Sequence, residues 1–233
     1  MANNNFGNRF QQTTTVVLNL IIINVLVYLA QLVTSGGQNS GTAEQLFALH
    51  HYKSTFFKPY QVVTYMFMHG GFFHLLFNMF ALWMFGSMVE SVWGPKRFLI
   101  FYFICGIGSA FFQLGSYAHD FWQLDHGMIT SMADMLEKQQ MAQFTSTVGA
   151  SGAIMGVLAA FGYLFPNMEL IIIPIPVPIK AKWAILGMIA LDVFGGVVKL
   201  QGDNIAHFAH IGGALIGFLL VLYWNKKEKK TFY

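Results

Sequence analysis

Residues 147–156 read Thr-Val-Gly-Ala-Ser-Gly-Ala-Ile-Met-Gly, one serine among small residues at the head of an otherwise apolar stretch. Gly149 and Ala150 allow close backbone approach just before Ser151. Gly152 and Gly156 form a Gly-x-x-x-Gly face on which a second helix can pack tightly. A serine in that setting is rigidly held, and whether it is helix-packing glue or a nucleophile depends on what faces it.

The surrounding composition makes this a membrane chain. Of its 233 residues 55% are hydrophobic and only 10% charged, against roughly 25% charged in an ordinary soluble domain. At about 20 apolar residues per helical span, there is room for roughly five to seven spans and no sizeable soluble domain. The lone Cys105 excludes a disulfide framework and a cysteine metal site. A net charge of +3, with basic residues scattered or confined to the tail, argues against nucleic-acid binding.

Working outward from Ser151, six spans are expected in an all-α membrane helix bundle. They run over about 16–33, 72–92, 98–114, 149–165, 183–198 and 205–224. Residues 1–15 form a short N-terminal segment, 16–224 the membrane domain, and 225–233 a basic tail. The stretch 116–147 reads as a surface insertion, with a short amphipathic helix over 131–143 lying on the membrane. Pro174, Pro176 and Pro178 exclude a regular helix between the fourth and fifth spans. Arg9, Lys96, Arg97, Lys180, Lys182 and the tail lysines fall on one face. Only Lys53, Lys58, Lys138 and Lys199 fall on the other. Both termini are therefore expected to be cytoplasmic, with Ser151, His74 and His210 near the outward surface.

The sixth span supplies what faces the serine. In Ala206-His-Phe-Ala-His-Ile-Gly-Gly-Ala-Leu-Ile-Gly217, His210 lies on the same face as Gly213 and Gly217. Two glycine-lined helices in contact, one with a hydroxyl and one with an imidazole, make a Ser–His pair in which His210 activates Ser151. His74 and Asn78, four apart on one face of the second span, can donate to a tetrahedral oxyanion beside the Ser151 backbone N–H. No carboxylate is evident at the depth of His210, so the expectation is a dyad. Glu90 is expected to fix the inward end of the second span, for instance by pairing with Arg97. His207 is assigned a structural or water-facing role, while Asp192, near the middle of the fifth span, can pair with a neighbouring hydroxyl or line a water-filled gap and is assigned no function.

Together Gly149-Ala-Ser-Gly152, Ala209-His-x-x-Gly213-x-x-x-Gly217, His74-x-x-x-Asn78 and Gly86-x-x-x-Glu90-x-x-x-Gly94 resemble the rhomboid family of intramembrane serine proteases. The resemblance covers about Lys58 to Trp224. It implies Ser151 as nucleophile, His210 as general base, and His74 with Asn78 lining the oxyanion pocket. It also implies a gate formed by the fifth helix and the turn after it, and transmembrane protein substrates cut near the membrane surface. No cofactor or metal is implied, and the only other partner is membrane lipid. A bacterial inner membrane is the expected location, with the active site opening outward. Three departures stand out: Tyr60-Gln61 where many bacterial relatives have Trp-Arg, Met155 where an aromatic often follows the nucleophile, and the length of the insertion.

The sequence argues against three rival functions. A membrane zinc protease built on His207 and His210 lacks a His-Glu-x-x-His arrangement. A small transporter should show an internal repeat with paired broken helices, which this chain lacks. A non-catalytic rhomboid-like binder of membrane proteins should have lost Ser151 or His210, and both are present.

Overall fold

The computed structural model describes residues 15–34, 41–126, 132–171, 177–198 and 206–228. The expectations placed on Arg9, on Pro174 and Pro176, on the Gln201 turn and on the last five residues lie outside that set. The bundle comprises α1 (Thr15–Thr34), α2 (Phe72–Trp93), α3 (Pro95–His126), α4 (Ser151–Leu164), α5 (Ala181–Val198) and α6 (His207–Glu228). Among the described residues five of these are long and apolar enough to cross a bilayer, and α4 is a shorter apolar helix of 14 residues.

Why α4 can be short follows from its position. Eleven of its 14 residues are buried, so α4 forms the bundle axis while its neighbours face outward. On α2 the residues Phe72, Phe73, Phe77, Phe80 and Trp83 are all exposed. Lipid is as apolar as these side chains, so close packing rather than apolar burial has to hold the helices together. Glycine makes that packing possible. A Cβ on Gly156 would sit 2.5 Å from Cys105 Sγ of α3, and one on Gly217 would sit 2.5 Å from Gly156 Cα. A Cβ on Gly213 would collide with the Gly152 carbonyl oxygen. Hence α4 and α6 touch backbone to backbone.

Three polar features tie the periphery to this axis. The buried Glu90 carboxylate accepts from the backbone N–H of Val16 (3.0 Å) and Val17 (2.9 Å). It thereby satisfies amides at the start of α1 that have no intrahelical partner. Arg97 stacks its guanidinium on Trp224 (4.4 Å) and Trp93 (5.6 Å). The side chain of Gln61, fully buried, accepts from Lys58 N (3.1 Å) and His50 N (3.4 Å) and donates to Phe56 O (2.9 Å) and Leu46 O (3.1 Å). One amide thus organises the first loop, between α1 and α2.

The third helix differs from expectation. It does not stop near Leu114 but continues to His126. Gly115 does not break it, since an interior glycine costs only about 1 kcal/mol and no proline follows. The extension braces the first loop: His51 packs on Tyr117 and Phe121 with ring centroids 5.6 and 5.4 Å apart. A second helix, Met132–Phe144, follows within the insertion. Beyond it Ser146–Thr147 pairs antiparallel with Leu49–His50 of the first loop. The chain entering α4 is thus clamped to the first loop. On the opposite side, between α4 and α5, Glu169–Leu170 pairs antiparallel with Ile179–Lys180.

Candidate active site

Three helices begin at the same end of the bundle, and each contributes a side chain close to its start. Ser151 is the first residue of α4, His74 the third of α2, and His210 lies one turn into α6. Their ends surround a cavity of about 630 Å³ whose lining includes Ser151, His210, His74 and Asn78, together with Met155. All four residues singled out for chemistry in the sequence therefore face one space.

Ser151 Oγ and His210 Nε2 are 2.8 Å apart. The approach is set by the glycine interlock of α4 and α6, and by Ser109 of α3, whose hydroxyl donates to the Ala209 carbonyl at 2.7 Å next to His210. Immediately before the serine, Gly149 has φ +131°, a conformation L residues rarely adopt. A Cβ there would lie 2.9 Å from His74 Nε2 and 3.4 Å from Ser151 Oγ. Glycine is required at 149 on both counts. The Gly149 N–H donates to Tyr65 O at 2.9 Å, which anchors the bend.

The donors around Ser151 are ordered by their own hydrogen bonds. His74 Nδ1 accepts from Gly70 N at 3.3 Å, so the proton of the neutral ring resides on Nε2, the nitrogen beside Gly149 and Ser151. Asn78 Nδ2 donates to the His74 carbonyl at 3.0 Å, and its amide carries a second N–H. The first intrahelical bond of α4 runs from Ile154 N to Ala150 O. The amide of Ser151 precedes that ladder and adds the positive end of the helix to the site.

The expectation that no carboxylate lies at the depth of His210 is corrected. Asp192 Oδ1 of α5 stands 3.0 Å from His210 Nδ1 and 2.8 Å from His207 Nδ1. In sequence Asp192 looks too deep, being the twelfth of 18 residues in its helix. But α5 runs antiparallel to α6. Its last six residues span about 9 Å, and His210 is about 4.5 Å from the start of α6. The difference is less than one helical turn, which tilt and side-chain reach close. His207, assigned no chemistry in the sequence, shares the same carboxylate oxygen.

Outside the spans, His69 is buried and its rings edge against His74, with centroids 5.1 Å apart. Burial, with His74 adding to it, lowers its pKa to about 4. His69 is therefore neutral at ordinary pH, and its backbone is held by Gln31 of α1 through Nε2 (3.2 Å) and Oε1 (3.0 Å).

The sequence matches the rhomboid domain over residues 57–227. It is 31% identical over 208 residues to rhomboid protease AarA of Providencia stuartii, covering 87% of this chain and 70% of that protein. It is 31% identical over 164 residues to the mitochondrial rhomboid protein 1 of Saccharomyces cerevisiae, covering 70% of this chain and 41% of that one. With the human mitochondrial presenilin-associated rhomboid-like protein it shares 29% identity over 231 residues, covering 97% and 54% respectively. The chain thus spans about half the length of these mitochondrial relatives.

Proposed function

The chain belongs to the rhomboid family, and from that premise we propose that it is an intramembrane serine endopeptidase acting on transmembrane segments of other proteins. The observation that carries this reading is the 2.8 Å contact of Ser151 Oγ with His210 Nε2 inside the cavity that His74 and Asn78 also line. His210 removes the serine proton as Oγ attacks the substrate carbonyl. The resulting oxyanion is met by Ser151 N–H, His74 Nε2–H and the second N–H of Asn78. His210 then returns the proton to the leaving amine, and water hydrolyses the acyl-enzyme. At 14 residues α4 is about 21 Å long against roughly 30 Å of hydrocarbon. Ser151 therefore lies below one membrane surface, and the cavity is its route to water.

Lys96, Arg97, Lys180 and Lys182 belong to the end of the bundle opposite the cavity. With the start of α1 and the end of α6 on that basic side, the cytoplasmic face is opposite the cavity mouth, which opens outward. A bacterial inner membrane fits this arrangement and the likeness to the Providencia protein.

The test is labelling of the purified protein with a fluorophosphonate, with Ser151→Ala and His210→Ala as controls. An adduct on Ser151 that is lost in both variants and unaffected by a chelator supports an activated serine. An adduct abolished by the chelator supports a zinc enzyme instead. No adduct, together with no cleavage of an unwound transmembrane peptide, supports a non-catalytic binder of membrane proteins.

A further inference from the structure

We infer that Asp192 is a positioning residue, a carboxylate supplied by α5 that holds His210 in the one tautomer and orientation able to act on Ser151. This rests on the Ser–His reading above and adds a third residue to it. A carboxylate only accepts hydrogen bonds, so the 3.0 Å contact assigns a proton to His210 Nδ1. The lone pair is then on Nε2, which faces the Ser151 hydroxyl at 2.8 Å. Without that acceptor the imidazole would distribute its proton over both nitrogens. The form protonated at Nε2 cannot accept from serine. During the reaction the same carboxylate faces the imidazolium as it forms.

The arrangement is built rather than incidental. An ionised carboxylate inside a membrane span is costly unless it is paired, and here one oxygen receives two N–H groups, from His210 and from His207 at 2.8 Å. His207 and His210 are three apart and so share a face of α6. The side chain of Asp192 is 12% exposed and that of His210 17%. On α5 the backbone is hollowed to seat the second imidazole, since a Cβ on Gly195 would come within 2.5 Å of His207 Cε1 and Nε2. His74, the remaining histidine on the cavity wall, directs Nδ1 to Gly70 N and does not compete for the carboxylate.

A purely structural alternative makes Asp192 a staple between α5 and α6. The two roles separate by tautomer. The full-length protein is labelled with ¹⁵N-histidine in bicelles at about pH 8, where an ordinary imidazole is neutral. The His210 signals are assigned by their loss in His210→Gln. Wild type is expected to show a protonated Nδ1 and an unprotonated Nε2. In Asp192→Asn the amide can donate to Nδ1, so the proton moves to Nε2 and kcat on a transmembrane peptide falls about 10²- to 10⁴-fold with KM little changed. In His207→Gln, which retains Asp192, the Nδ1-protonated form persists.

A wild-type His210 protonated at Nε2 overturns the inference without any variant. So does Asp192→Asn with an unchanged tautomer, or a loss of kcat matched by His207→Gln. The tautomer is read without substrate. Failure of the protease reading, seen as no serine adduct in wild type, is therefore distinct from failure of this one.

Discussion

Asn78 commits one N–H of its amide to the His74 carbonyl, and in the proposed mechanism the other meets the oxyanion only as charge develops. Its value is then expressed in the transition state rather than in substrate binding. Asn78→Ala is expected to lower kcat by about 100- to 1,000-fold with KM nearly unchanged, measured on a transmembrane peptide. An unaltered kcat would leave the oxyanion to His74 and the backbone. Gln61 is decisive in a different way. Its four hydrogen bonds satisfy two backbone N–H groups and two carbonyls in the first loop. Gln61→Ala strands them, and unfolding in detergent is expected to show a loss of about 3 kcal/mol.

At the level of elements, the contact of α4 with α6 sets the distance between Ser151 and His210. Gly213→Ala places a methyl into the Gly152 carbonyl. It is expected to cost about 3 kcal/mol or more through overpacking, and to abolish serine labelling in whatever protein still folds. Gly187→Ala is the control. A Cβ at 187 meets nothing within 4 Å, so it should be neutral or stabilise by about 0.5–1 kcal/mol through helix propensity. Both are read from thermal unfolding and probe labelling on the same preparations. The two Gly-x-x-x-Gly spacings announced the contact of α4 with α6, but not the contact of α4 with α3. Gly156 meets Cys105 on one side and α6 on the other, a double role that no spacing within a single helix encodes.

For the molecule as a whole, acidity is expected to act through buried neutral histidines outside the spans. His69 has a pKa lowered from 6.5 to about 4, and His51 is also lowered, first by burial. Between 6.5 and about 4 the unfolded chain takes up the His69 proton while the folded chain does not, so unfolding is favoured as pH falls. Stability should be full above 6.5, decline through this window, and level off below 4, where the folded form also protonates. Thermal unfolding from pH 7 to 4 should show that slope, and His69→Gln should flatten it. A slope unchanged by the substitution would assign the acid sensitivity to other groups.

What the sequence determined by itself is local and periodic. Long apolar runs required membrane helices, because lipid leaves backbone polar groups no partner outside a helix. Glycines at four-residue spacing marked the contact faces, and His74, Asn78, Ser151 and His210 could be named because each lies on a recognisable face. The length of α3 was not legible, since Gly115 punctuates only weakly and the interactions that continue the helix, His51 with Tyr117 and Phe121, come from a loop more than sixty residues earlier. Glu90 could be seen to be buried near a helix end, but its partners, Val16 and Val17, lie more than seventy residues away. Asp192 shows the limit most clearly. Its depth depends on the antiparallel offset and tilt of α5 against α6, quantities with no local code. Only the tertiary structure brings its carboxylate to His207 and His210.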